Sequence, residues 1–403
     1  MAESFGSLLR ECRAAAGISM GELAKRVNYS KSYISKIEND LKPPNAMLAR
    51  ICDGVLDAGG ALIEAAHAAN ARVKAAAVPG SLDRRRMLAG TGALLGIALA
   101  GGPRPVLDDG VVAGLRSSFE QLRALGMRTS PAVVLESLVA QTHTVHALAR
   151  GNAEPVRSRL LLLAARMAEY TGWLSQEAGH EQDALSWTRH AAELARAGGD
   201  QEIASYAYVR EAGLALYRQD PIATIDLARQ AQRVGRPDSR TFGLAARREA
   251  QGHALAGDRD AFERALDRAA GPLYASIVDT TDYPVLGSTA PDPLALARGW
   301  SLADLGRAGE SAALLGDSLA RVPAANRRTR ARFGVRRSLA LALDGEIDES
   351  CRTLTDTLDD VARVDSATVR TDLRELARCL SRWRSHRAVR EVYPELSRVL
   401  HRT

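Results

Sequence analysis

Five turns set at a common interval constrain this chain more than anything else in its sequence. Ala178-Gly179-His180, Ala256-Gly257-Asp258, Leu305-Gly306-Arg307 and Asp344-Gly345-Glu346 each separate two helix-length segments. Their glycines lie 78, 49 and 39 residues apart, and Gln219-Asp220-Pro221 sits near the midpoint of the first gap. The period is therefore about 39 residues, with roughly ten more in one repeat. The extra length falls at Gly271–Pro293, where Pro272, Pro284, Pro291 and Pro293 gather. Such a repeat is a helical hairpin with an apolar face that only the next hairpin can cover. Aromatics are only 4% of the chain while Ala, Leu and Arg recur throughout, which favours helices packed closely through small side chains. No run of alternating Val, Ile, Thr and aromatics is long enough to propose a sheet. The prediction is an all-α fold: a five-helix N-terminal domain, then a helical-hairpin solenoid.

Length allows two or three domains in 403 residues, and 46% apolar with 25% charged residues excludes wholesale disorder. Charge is unevenly placed. Of a net +6, most comes from residues 1–86, with 13 Lys or Arg against 9 Asp or Glu. The chain has five lysines, at 25, 31, 36, 42 and 74, so that four fall between Lys25 and Lys42. A concentrated basic patch on a small domain suits a polyanionic partner. Cys12, Cys52, Cys351 and Cys379 are scattered without a CxxC or a nearby His, so reduced thiols in helix cores and a cytoplasmic location are expected. Arg84-Arg85-Arg86-Met87-Leu88 and the apolar run from Ala89 to Gly101 resemble a twin-arginine export signal. The segment starts far from the N-terminus and is too short and Gly/Ala-rich to span a bilayer, so a linker or buried helix is expected and no membrane partner.

The N-terminal helices can be placed from their apolar spacing and caps. Phe5 to Ala15 is the first, with Leu8, Leu9 and Cys12 on one face and Gly17 ending it. Met20–Val27 follows, with Ser19 as N-cap and Asn28 at the turn. Lys31–Asn39 is the third, capped by Ser30. After Pro43-Pro44, Asn45 caps a fourth helix through Leu56, and a fifth runs from Ala61 to Ala77, with a domain edge at Pro79-Gly80. The expected domains are 1–77, a linker or apolar helix over 78–110, and the repeat array over 111–403.

Residues 5–57 resemble the lambda-repressor-like (XRE) helix-turn-helix family. The matching positions are Ala24 at the helix contact, Val27, Ile34 and Ile37 in the core between the two helices, and the turn at Asn28. The resemblance implies that the third helix enters the major groove of double-stranded DNA with its outward N-terminal side chains at base edges. With Ile34 and Ile37 inward, Lys31, Ser32, Tyr33 and Ser35 become the base-reading candidates. Ser19, Lys25, Ser30, Lys36, Asn39 and Lys42 become the phosphate contacts, which orient the protein without reading sequence. Two positions depart from the family pattern: Met20 where Gln is usual, and Asn28 where Gly is. Family members bind as two-fold dimers, which implies a homodimer on an inverted-repeat operator.

Residues 155–400 resemble tetratricopeptide-like (TPR-like) repeats, though with a longer period. An XRE domain joined to such an array resembles regulators of actinobacterial type and peptide-sensing regulators of Gram-positive bacteria, which implies control of DNA binding by a small-molecule, peptide or protein signal. Asn326 is the only Asn after Asn152, whereas the peptide-sensing group grips its ligand with several. Tyr170, Trp173, Tyr206, Tyr208, Arg210 and Tyr217 are candidate pocket residues, since aromatic walls with one cation suit an apolar ligand bearing an acidic group; helix-core packing is the competing reading. The acid-free stretch from Arg321 to Arg337 holds seven arginines, read either as a solvated helix face or as a site for phosphate, an acidic partner or DNA flanks. His143 and His146 share a helix face, but nothing nearby completes a metal set. No nucleophile elbow, phosphate-cradling glycine loop or carboxylate pair is recognisable, so no enzyme, metal or cofactor is expected. The expected function is a sequence-specific transcriptional regulator; the alternative is an interaction protein whose array recruits a partner and whose DNA binding is secondary.

Overall fold

The structure is a computed structural model that describes residues 4–27, 31–39, 46–66, 68, 107–275, 287 and 290–401, leaving out the side chains of residues 31–33, 36, 46, 47 and 50. The described residues form helices and no strand. The chain divides between Ala93 and Leu94 into two compact units.

The N-terminal unit is built from α1 (Phe5–Ala15), α2 (Met20–Arg26), α3 (Lys31–Glu38) and α4 (Ala46–Leu56), followed by helical residues 61–66 and 68. Local chemistry sets the boundaries. Ser4 caps α1 by accepting from the Ser7 amide, and Gly17 ends it at φ +67, where a side chain would strain the backbone. Ser19 caps α2 by accepting from the Glu22 amide at 3.1 Å. Asp53 accepts from the Gly60 and Leu62 amides at 2.8 and 3.0 Å, so the end of α4 caps the helix that follows. Phe5, Leu9, Leu23, Val27, Ile34 and Ile37 are buried in one core with Leu48, Cys52 and Leu62 from the later helices. The cysteines are free, and burial pushes the Cys52 thiol up to about 12. Asn28, Ser30, Asn45, the rest of the fifth helix, the Pro79-Gly80 edge and the Arg84–Gly101 segment lie outside the described residues.

The second unit opens with α5 (Asp109–Gly126), a 3-10 turn at Pro131–Val133 and α6 (Leu135–Gly151). Hairpins follow: α7 (Val156–Glu177) with α8 (Glu181–Gly198), α9 (Gln201–Tyr217) with α10 (Pro221–Val234), and α11 (Arg240–Ala256) with α12 (Arg259–Ala275). Then come α13 (Pro293–Asp304) with α14 (Ala308–Ala320), α15 (Arg327–Asp344) with α16 (Ile347–Val364), and α17 (Ala367–Leu380) with α18 (Arg387–Leu400). Helices pack on their neighbours in chain order, so the predicted helical-hairpin array is the architecture found. All five predicted turns reverse the chain through a left-handed residue, from Gly179 at φ +89 to Gly345 at +92, with Gln219 at +59 as the one that carries a side chain.

Two expectations are corrected. The insertion does not begin at Gly271: α12 runs on through Pro272 to Ala275, because Pro272 and Leu273 are buried against Gly243 of α11, which offsets the missing backbone bond. Nor is Arg321–Arg337 a solvated face. Arg327 and Arg330 pair with Asp360, Arg328 and Arg332 with Glu177, Arg336 with Asp372, Arg337 with Glu349 and Arg321 with Asp292. The acids come from elsewhere in the chain, so a window without acids is not a surface without them.

One of these pairings joins the two ends of the array. Glu177, fully buried at the end of α7, accepts from Arg328 at 2.9 Å and Arg332 at 2.7 Å on α15, and from Ser366 at 2.7 Å and Thr368 at 3.0 Å at the start of α17. Arg328 also donates to the Gly126 carbonyl at the end of α5 at 3.0 Å and lies over the Trp173 ring at 5.3 Å. Ser130 donates to Asp365 at 3.2 Å across the same junction. The early helices of the array thus touch its late ones. Burial alone would raise the Glu177 carboxyl, but the Arg332 and Arg328 guanidiniums and the two hydroxyls outweigh it and hold it below the usual carboxylate range.

Candidate nucleic-acid interface and internal cavity

In the N-terminal unit the α2–α3 pair closes on an apolar seam. Leu23, Ala24 and Val27 of the first segment meet Ile34 and Ile37 of the second, each at most 4% exposed. The seam fixes which way α3 faces. A second constraint holds α3 against α1: Arg13 donates to both carboxylate oxygens of Glu38, at 2.6 and 3.0 Å, and Glu38 is 2% exposed. Arg10 adds bonds to the Glu38 carbonyl at 2.7 Å and to Asn39 Oδ1 at 2.9 Å. The hydrogen bond to Glu38 raises the Arg13 guanidinium above its ordinary value. Sequence reasoning missed Arg10, Arg13 and Glu38; the cations recur three apart on α1, but nothing local points them at α3.

The residues singled out for DNA separate into groups. Lys31, Ser32, Tyr33, Ser35 and Lys36 all lie on α3, and Ser35 is half-buried. Lys25 on α2 and the N-cap Ser19 are exposed. Asn39 is exposed but engaged within the domain, since its Nδ2 donates to the Ser35 carbonyl at 2.7 Å and its Oδ1 accepts from Arg10. Met20, the departure from the family pattern, packs against the core. Ser30 and Lys42 lie outside the described residues.

In the array, Tyr170 and Trp173 of α7 and Tyr206 and Arg210 of α9 line one cavity of about 160 Å³. Tyr208 and Tyr217 are not part of its lining: Tyr208 packs against the main core, and Tyr217 stands edge-on to Trp300 at 5.5 Å. Helices far along the chain add Arg247 and Arg248 of α11, Trp300 of α13 and Phe333 of α15. The sequence reading put one cation in this pocket. The structure brings seven guanidiniums to its wall: Arg123, Arg166, Arg210, Arg247 and Arg248, with Arg328 and Arg332 shared with Glu177. Glu169 is the carboxylate in the lining. Burial raises its carboxyl, against the pull of Arg210, Arg166 and Arg123.

His143 and His146 face Trp187 and His190, with ring centroids 5.3 Å apart in each pair. Burial, with His190, Arg150 and His143 nearby, pushes His146 down to about 4. Among the described residues no group of His, Cys, Asp and Glu is arranged to hold a metal ion, and no helix is long and apolar enough to cross a membrane.

Comparison with known families matches residues 4–66 to a family described as a helix-turn-helix domain. The matched range takes in α1 to α4, including the seam and the Arg13–Glu38 pair. Comparison with curated proteins gives no significant match. The N-terminal unit is thus similar to helix-turn-helix domains, which points to a DNA-binding regulator.

Proposed function

We propose that the chain is a sequence-specific transcriptional regulator, lambda-repressor-like at its N-terminus and TPR-like in its array. The N-terminal unit binds double-stranded DNA; the array joins two chains and senses a small-molecule, peptide or protein signal. The reading rests on one observation above all: an α2–α3 pair with a closed apolar seam, inside a segment similar to helix-turn-helix domains. Such a pair presents one helix to the major groove, and a two-fold dimer places two such helices about 34 Å apart on half-sites of an inverted repeat. The internal cavity supports the sensing role. The protein acts in the cytoplasm and by binding, without a catalytic step.

Selection from random DNA followed by fluorescence anisotropy tests the reading. Lys31→Ala and Ser35→Ala are expected to narrow the gap between operator and random DNA, by about tenfold for Lys31→Ala. Lys42→Ala is expected to weaken both equally and lower the salt slope by about 1. Equal losses on both DNAs from Lys31→Ala would remove the base-reading role. Failure to enrich any sequence would favour the alternative, an interaction protein.

A further inference from the structure

The array cavity carries a charge imbalance that the described residues around it do not correct. Arg328 and Arg332 are answered by Glu177, Arg166 by Asp200 at 3.9 Å and Arg210 by Glu169 at 3.6 Å. For Arg123, Arg247 and Arg248 the described residues provide no carboxylate within ion-pair distance. Arg247 is the sharpest case, 8% exposed with no hydrogen-bond partner for its Nε. Its neighbour Arg248 spends Nη1 on Gln251 Oε1 at 2.8 Å, and its Nε is likewise buried and unpartnered. Burial pushes both guanidiniums down, Arg247 to about 9 with Arg248 adding to it and Arg248 to about 10 with Arg210 and Arg332 adding to it. A buried, unpaired charge is among the costliest things a fold can retain. A ligand of opposite charge would repay that cost.

Aromatic rings share the wall, among them Trp173, Tyr206 and Phe333. A hole of about 150 Å³ accommodates one benzene ring, and this cavity is about 160 Å³. We propose that the cavity binds a small organic dianion carried on a single flat ring, an aryl phosphate or an aromatic dicarboxylate, with its anionic group on Arg247 and Arg248 and its ring against Trp173, Tyr206 and Phe333. This names the effector class of the sensing array proposed above and takes its regulatory meaning from that reading.

The test uses the full chain with phenyl phosphate and phthalate as probes, and inorganic phosphate and benzyl alcohol as controls. Binding is read without DNA, by tryptophan fluorescence and thermal unfolding. At a hundredfold excess over Kd, at least one dianion is expected to raise the array transition by about 5 °C. Arg247→Met and Arg248→Met are each expected to weaken that dianion by about tenfold or more. Without ligand, Arg247→Met is expected to unfold at a higher temperature than the parent, which an arginine kept for structure alone would not allow. Which probe binds decides between phosphate and carboxylate. The proposal is overturned if neither dianion binds at millimolar concentration, if benzyl alcohol or inorganic phosphate binds as tightly, or if both variants bind like the parent. DNA binding is measured separately by anisotropy: specific DNA binding without dianion binding sinks only the effector, and the reverse sinks only the regulator.

Discussion

In the N-terminal unit the buried carboxylate of Glu38 meets guanidiniums that keep some contact with water, Arg13 at 16% side-chain exposure and Arg10 at 52%. In the array the buried carboxylate of Glu177 meets Arg328 at 3% and Arg332 at 22%, while Arg247, in the wall of the cavity that Arg328 also lines, has no carboxylate within ion-pair distance among the described residues. Both carboxylates clamp one helix to another far along the chain. The cost of failure differs, because the solvent that rescues an orphaned Arg13 cannot reach Arg328. Balanced buried charge fixes geometry here, and the excess at Arg247 and Arg248 is the ground for the ligand proposed above.

Removing the two clamps separates these cases. Glu177→Gln leaves Arg328 and Arg332 facing a neutral amide, and the array is expected to lose about 3–5 kcal/mol by calorimetry, with the N-terminal unit's transition unchanged. A loss no larger than that from Glu38→Gln would erase the distinction. Glu38→Gln is expected to cost the N-terminal unit about 2 kcal/mol and to weaken DNA binding on every sequence, because α3 is loosened and no base contact is removed. Unchanged DNA affinity would mean that the apolar seam alone positions α3.

The smallest effect concerns pH. His146 titrates near 6.5 when unfolded and at about 4 when folded, so between those values the unfolded chain binds more protons and the array loses stability as pH falls. Solvent screening of this half-buried ring keeps the loss to about 1 kcal/mol. His146→Gln is expected to abolish it, read as the difference between variant and parent melting curves from pH 7 to 4.5. That difference isolates the ring from Asp372, whose buried carboxyl is raised to about 6 and pulls the other way over part of the range.

Much of the architecture was legible in short windows. Ser19, Gly17 and the spacing of Leu23, Val27, Ile34 and Ile37 are sufficient to place α1 to α3, because caps and amphipathic faces act within a turn or two of helix. The same holds for Gly179, Gly257, Gly306 and Gly345, each a left-handed residue between two helices. Tyr170, Trp173, Tyr206 and Arg210 could be grouped because adjacent hairpins carry them. Arg247, Arg248, Trp300 and Phe333 could not, since nothing local says which later hairpins come back to α7.

The sequence by itself determined an all-helical chain, a helix-turn-helix pair and a hairpin array, because those depend on propensity, capping and periodicity over a few residues. Only the tertiary structure decided that the Arg321–Arg337 run would be neutralised by distant acids and that Glu177 would find Arg328 across 151 residues of chain. The cavity's surplus of cations belongs to that second class. Charge pairing acts through space, and the repeat pattern sets which helices are neighbours in sequence but not where the array's ends meet.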